Sequence, residues 1–433
     1  MIYYSLNKQA PWVDFKEATI LGQAPDKGLY FPLSIPVIPG KLIDNINNYS
    51  REEIAFEIIR PYIGDSIPIP RLKQIVEETI CFDFPLVKLS NDVFALELFH
   101  GPTLAFKDVG ARFMSRCLGY FMEQDSRNVT VLVATSGDTG GAVANGFYGV
   151  DGVNVVILYP SGKVSSVQEW QLTTLGKNVT ALEIMGSFDD CQDLVKQAFA
   201  DHKLKQKVFL TSANSINVAR WLPQQFYYLF AYQQWEDKSH PPVFSVPSGN
   251  FGNICAGLLA NRSGLPVRHF IAACNANDIF PEFLRTQNYK PKKAVATLSN
   301  AMDVGNPSNF IRILELFNNE FIDLSNILSS YSISDDETVD AISVLYKNNK
   351  YVADPHGAVG WIALKKWLKE NKGEKGIFLE TAHPVKFYDI VEAIINQKIP
   401  VPESVNRQQG KKKLSRRFEA SYEDFREFLF TLK

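Results

Sequence analysis

Lys107 lies in HGPTLAFKDVGARF (100–113), directly after Leu-Ala-Phe. An amine in partly desolvated surroundings is easier to deprotonate and can attack an aldehyde; the ordinary alternative is a surface charge. GNFGN (Gly249, Asn250, Phe251, Gly252, Asn253) sits between an apolar strand-like run and a helical run. There, backbone N–H groups can converge on a phosphate beside a positive helix end, although such a cluster also serves as a plain turn. It has neither the G-x-x-x-x-G-K-S/T nor the G-x-G-x-x-G spacing, so neither a P-loop nor a Rossmann dinucleotide site is indicated. SGDTGG (136–141) brings the hydroxyls of Ser136 and Thr139, the Asp138 carboxylate and several backbone donors. That set suits a substrate carboxylate or, equally, an N-cap and turn. Lys163 in YPSGKVSSVQ and Arg220 in SINVARW follow strand-like segments. Either could meet a phosphate or carboxylate, a surface salt bridge being the default.

These loops need elements to hold them. NVTVLVA (128–134), VNVVILYP (153–160), VTALEIM (179–185), PVFSVP (242–247), VRHFIAACN (267–275) and GIFLET (376–381) are near-continuous apolar runs separated by helical stretches. That alternation predicts an α/β fold with parallel sheets covered on both faces. Residues 1–90 read as a mainly helical N-terminal domain, with REEIAFEIIRPYI from Arg51 and IPRLKQIVEETI from Ile69. Asp92 to Phe99 reads as a strand. A region of two open α/β lobes is expected over 91–400, the smaller at about 100–220 and the larger mainly at 221–400, with an extension over 401–433. The basic run RQQGKKKLSRRF (407–418) reads as a solvated surface or tail, with contact to a polyanion as the minority reading.

Composition narrows the function. Lys plus Arg number 45 against 47 Asp plus Glu, a formal charge of -2, so a nucleic-acid binder relying on a global positive field is not expected. The five cysteines form no C-x-x-C pair, which argues against a disulfide framework or a thiolate zinc site. Six scattered histidines give no metal motif. No basic region followed by an apolar block opens the chain, and no apolar run is long enough to cross a bilayer. A cytoplasmic location without membrane contact is expected. Nothing in the pattern decides between a monomer and a small homo-oligomer.

HGPTLAFKD, ATSGDTGGA, YPSGKVSSVQ, SINVARW, PSGNFGN, TLSNAMDVGNPSN (297–309) and LETAHPVKF (379–387) occur in that order. Together they resemble the threonine synthase family, pyridoxal 5'-phosphate (PLP) enzymes of the tryptophan-synthase-β-like fold, PLP fold type II. The resemblance implies that Lys107 holds PLP as an internal aldimine. Gly249 to Asn253 would cup its phosphate, and Thr381 would hydrogen-bond its pyridine nitrogen. Ser136, Asp138, Thr139, Lys163, Ser165, Asn217 and Arg220 would line the substrate pocket. Many members of the wider fold carry Asn where this chain has Asp138, and an ionised carboxylate cannot donate as an amide does; its role is left open. The implied substrate is O-phospho-L-homoserine, converted with water to L-threonine and phosphate, with Lys107 moving protons. The alternatives are a serine/threonine dehydratase-like lyase of the same fold and a non-catalytic sensor that retains it.

Overall fold

The computed structural model describes residues 1–123, 125 and 127–432. The N-terminal stretch opens with three short strands, β1 (Ile2–Ser5), β2 (Val13–Asp14) and β3 (Tyr30–Pro32), in an antiparallel sheet of order β2-β1-β3. The patterning of residues 1–90 predicts helices and gives no signal for this sheet, because strands of two to four residues carry too little periodicity. The two anticipated helices follow at Arg51–Ile63 and Ile69–Thr79. The first is started by a capping box between Ser50 and Glu53.

Next come β4 (Leu86–Lys88) and β5 (Val93–Glu97), then β6 (Val129–Ala134), β7 (Val153–Pro160), β8 (Val179–Met185) and β9 (Phe209–Ser212). They are followed by β10 (Val243–Pro247), β11 (His269–Cys274), β12 (Leu328–Ser332), β13 (Gly376–Glu380) and β14 (Arg416–Glu419). They form two sheets. The larger has the order β12-β11-β10-β13-β5-β4, parallel except for the β4–β5 pair. The smaller has the order β14-β8-β7-β6-β9 and is parallel throughout. Strands β6, β10, β11 and β13 are buried at every position. That is why their sequences run apolar without alternation: helices cover both faces. The architecture is the α/β, fold type II arrangement of two lobes behind an N-terminal helical region.

The stretch after residue 400 joins the smaller lobe. Arg416–Glu419 pairs with β8, and the following helix Tyr422–Thr431 buries Phe425 and Leu429. Lys413, in the basic run, bridges Glu169 at 2.6 Å and Glu183 at 2.8 Å. The run is therefore anchored to the lobe, while Lys411, Lys412, Arg416 and Arg417 face solvent. Among the described residues, no helix is long and apolar enough to cross a membrane.

Candidate active site

The loop before Lys107 is folded around a buried carboxylate. Asp108 accepts from the backbone N–H of Thr103 at 2.9 Å and from the Thr103 hydroxyl. Leu104 adopts a positive φ of 58°, a conformation a branched side chain adopts only when its surroundings force it. A bridge between Ala105 and Ala382, with the Phe106 N–H donating to the Thr381 carbonyl at 2.9 Å, fastens this loop to the end of β13. Lys107 thus starts its helix (Lys107–Met122) next to Thr381, although the two lie far apart in sequence.

Burial lowers the pKa of the Lys107 ammonium; Asp138 opposes the shift, while Lys386 and Arg220 reinforce it. Lys107 Nζ lies 3.7 Å from Asp138 Oδ2, and Lys386 Nζ lies 2.7 Å from Asp138 Oδ1. Gln168 Nε2 donates to the same Oδ1 at 2.9 Å. Burial alone would raise Asp138, but the charges of Lys386 and Lys107 outweigh it and hold the carboxyl well below its usual range. Asp138 is therefore an ionised acceptor. Gly137, at φ 145°, brings the backbone so close to Gln168 that a Cβ would lie 2.5 Å from its amide.

GNFGN connects β10 to the helix Gly252–Arg262. Phe251 takes the left-handed conformation, φ 61°, immediately before the helix starts. A Cβ on Gly249 would lie 2.6 Å from Met302 Cα and 3.0 Å from the Ala301 carbonyl, so the TLSNAMDVGNPSN segment lies directly against the turn. That segment is held by His356, whose Nε2 accepts from the Ala301 N–H at 3.2 Å while Nδ1 is hydrogen-bonded to buried Asp354.

Lys107, Ser136, Asp138, Thr139, Lys163, Arg220, Gly249 to Asn253 and Thr381 all line one cleft of about 1900 Å³. Burial pushes Arg220 down to about 10, and among the described residues its Nε has no hydrogen-bond partner. Two expected residues do not line the cleft. Ser165 caps the helix Ser166–Thr173, accepting from the Gln168 N–H. Asn217 caps the helix Val218–Trp221 through Oδ1, and its Nδ2 donates to the carbonyls of Thr19 and Ser212. Its polar atoms are thus spent on backbone, leaving nothing for a substrate. Lys386, His356 and Gln168 also belong to the site's surroundings, and the motifs do not single them out. Lys386, between Val385 and Phe387, has the same signal that drew attention to Lys107: an amine among apolar neighbours.

The residues fit PLP. An amine, a glycine turn at a helix N-terminus and a hydroxyl residue at a strand end face the same cleft, a donor set suited to an aldehyde, a phosphate and a ring nitrogen.

Three family profiles match the chain: "Pyridoxal-phosphate dependent enzyme" over residues 74–379, "Threonine synthase N terminus" over 2–80 and "Threonine synthase, C-terminal" over 357–429. The chain is 45% identical over 433 residues to the threonine synthase of Serratia marcescens, covering 100% of both. The crystal structure of threonine synthase from Escherichia coli superposes with a TM-score of 0.93 at 42% identity, covering 100% of both chains. PLP-bound threonine synthase from Brucella melitensis gives 0.93 at 34% identity, covering 100% of this chain and 99% of that one. The chain belongs to the threonine synthase family of pyridoxal-phosphate-dependent enzymes.

Proposed function

We propose that this site carries out the family's reaction, the PLP-dependent conversion of O-phospho-L-homoserine and water to L-threonine and phosphate, with Lys107 as the residue that bonds the cofactor. The observation that carries the reading is the convergence of Lys107, the Gly249–Asn253 turn and Thr381 on one cleft. Bound PLP supplies an electron sink for the charge left on the substrate carbon when a proton departs.

The chain's own groups do the rest. With PLP bound, the N–H groups at the start of the helix Gly252–Arg262 would hold its phosphate, and the Thr381 hydroxyl would serve its pyridine nitrogen. Ser136, Thr139 and the N-terminus of the helix Asp138–Phe147 hold the substrate carboxylate. Lys163 and Arg220 bind the substrate phosphate; the free Arg220 Nε supports this, since a buried donor without a partner favours an incoming acceptor. Lys107 Nζ takes the α-proton and returns it, and burial, by lowering its pKa, brings more of the amine into the neutral form a base needs. Asp138 binds no anion; paired with Lys386, it orients the Lys107 amine.

The deciding experiment supplies O-phospho-L-homoserine and follows phosphate and threonine together. Equal release of both supports the assignment, whereas phosphate with 2-oxobutyrate indicates a lyase of the dehydratase type. Borohydride reduction should leave a pyridoxyl group on Lys107. Lys107→Ala should keep the fold and lose turnover, and full activity in that variant overturns the role given to Lys107.

A further inference from the structure

Arg312 is a fully buried cation with no carboxylate in salt-bridge contact among the described residues. Its Nη1 donates to the Ser215 carbonyl at 3.2 Å and to Asn309 Oδ1 at 2.8 Å. Its Nη2 donates to the carbonyls of Ile216 at 2.6 Å and Tyr30 at 3.0 Å. The guanidinium carbon lies 4.3 Å from the centroid of the Trp221 ring. All four acceptors are neutral, and burial pushes the group down to about 10. A buried charge without a counter-charge is costly, so a chain that keeps one gains from an anion nearby.

The groups Arg312 holds in turn hold the phosphate turn. Asn309 Nδ2 donates to the Asn250 carbonyl at 3.0 Å and to Ser215 Oγ at 3.1 Å. Asn250 Nδ2 donates to the same Ser215 Oγ at 2.8 Å, and Asn250 Oδ1 accepts from the Ser308 N–H at 2.6 Å. The amide and carbonyl of Asn250 are thus committed to this block, which orients the turn for the ligand. Ser215 and Ile216 also lead into the segment carrying Arg220. Tyr30 belongs to β3, so a single guanidinium ties the N-terminal region, the phosphate turn and the approach to the substrate cation together.

We propose that Arg312 is a positioning residue for the cofactor: without touching PLP, it sets the shape of the Gly249–Asn253 turn and, through its uncompensated charge, the affinity of that turn for the phosphate. This rests on the PLP reading of the site. The test measures PLP binding to the apo-protein by fluorescence titration, for the unaltered chain, Arg312→Met, Arg312→Lys and Asn309→Leu, alongside the melting temperature of each apo-protein. The expected result is a loss of PLP affinity of about ten- to a hundredfold, the range seen when groups supporting a ligand set are removed. It should appear in Arg312→Met and in Asn309→Leu, with partial recovery in Arg312→Lys. If Arg312→Met does not fold, Asn309→Leu and Arg312→Lys decide. Variants that fold and bind PLP as tightly as the unaltered chain overturn the proposal, whatever their melting temperatures. Failure of the unaltered chain to bind PLP at Lys107 would instead overturn the site assignment.

Discussion

Lys386 Nζ sits 2.7 Å from Asp138 Oδ1, and both side chains are almost wholly out of solvent. A carboxylate buried this deeply needs a cation. Lys386→Met should therefore cost about 3–5 kcal/mol of stability, the usual penalty for breaking a buried pair. Adding Asp138→Asn should restore part of it, because the carboxylate that lost its nearest cation is then gone, although Lys107 loses its counter-charge. Denaturant unfolding of the two single variants and the double variant checks this, and additive losses would show that the pair does not act as a pair.

Gly249→Ala should weaken the cofactor turn. The new methyl would lie 2.6 Å from Met302 Cα, which is backbone and cannot rotate away. Either the turn or the Asn300–Met302 segment must shift, at a cost of about 1–3 kcal/mol. The readout is PLP retention after dialysis, expected to fall while the far-ultraviolet circular dichroism spectrum is unchanged.

Two histidines give the stability a pH dependence. Burial pushes His383 down to about 4, as it does His269 with help from Arg268. In the folded chain both rings stay neutral at pH values where an unfolded histidine, with a pKa of about 6.5, already binds a proton. The unfolded state therefore takes up more protons as the pH falls from about 6.5 toward 4, and the stability present above that window is lost through it. Denaturant midpoints measured across the window should show this slope, and His269→Asn should make it shallower.

Phe425, on the helix Tyr422–Thr431, is fully buried against the smaller lobe. Phe425→Ala should cost about 3–5 kcal/mol as a cavity opens, with turnover per folded molecule unchanged. Thermal melting and active-site titration with the cofactor separate the two effects.

Much of the fold was legible because buried parallel strands carry their signal in continuous apolar runs; VNVVILYP became β7 over the same residues. Strand β14 was not legible. It is RRFE, largely exposed, and it occupies a sheet edge where pairing with β8 rather than burial defines it. In the site, Lys107 and GNFGN stood out because a lysine after apolar residues and a glycine turn after a strand are local signals. Asn217 and Ser165 sit in motifs of the same quality, yet Asn217 Oδ1 and Ser165 Oγ cap helices. A motif names residue types; only three-dimensional placement separates a group facing the cleft from one spent on its own backbone. Lys386 carries the same local signal as Lys107, but its importance comes from Asp138, a partner remote in sequence.

Because β14 pairs residue 416 with residue 182, the smaller sheet is completed by a part of the chain made long after its neighbour. Until then, β8 presents an open row of backbone donors and acceptors, a ready template for another chain. Closing so long a loop costs entropy before any contact repays it, so this edge is sealed slowly. The yield of native enzyme on refolding is consequently a race between intramolecular sealing of β8 and intermolecular capture. Dilution, or holding the chain apart from its copies, favours the first.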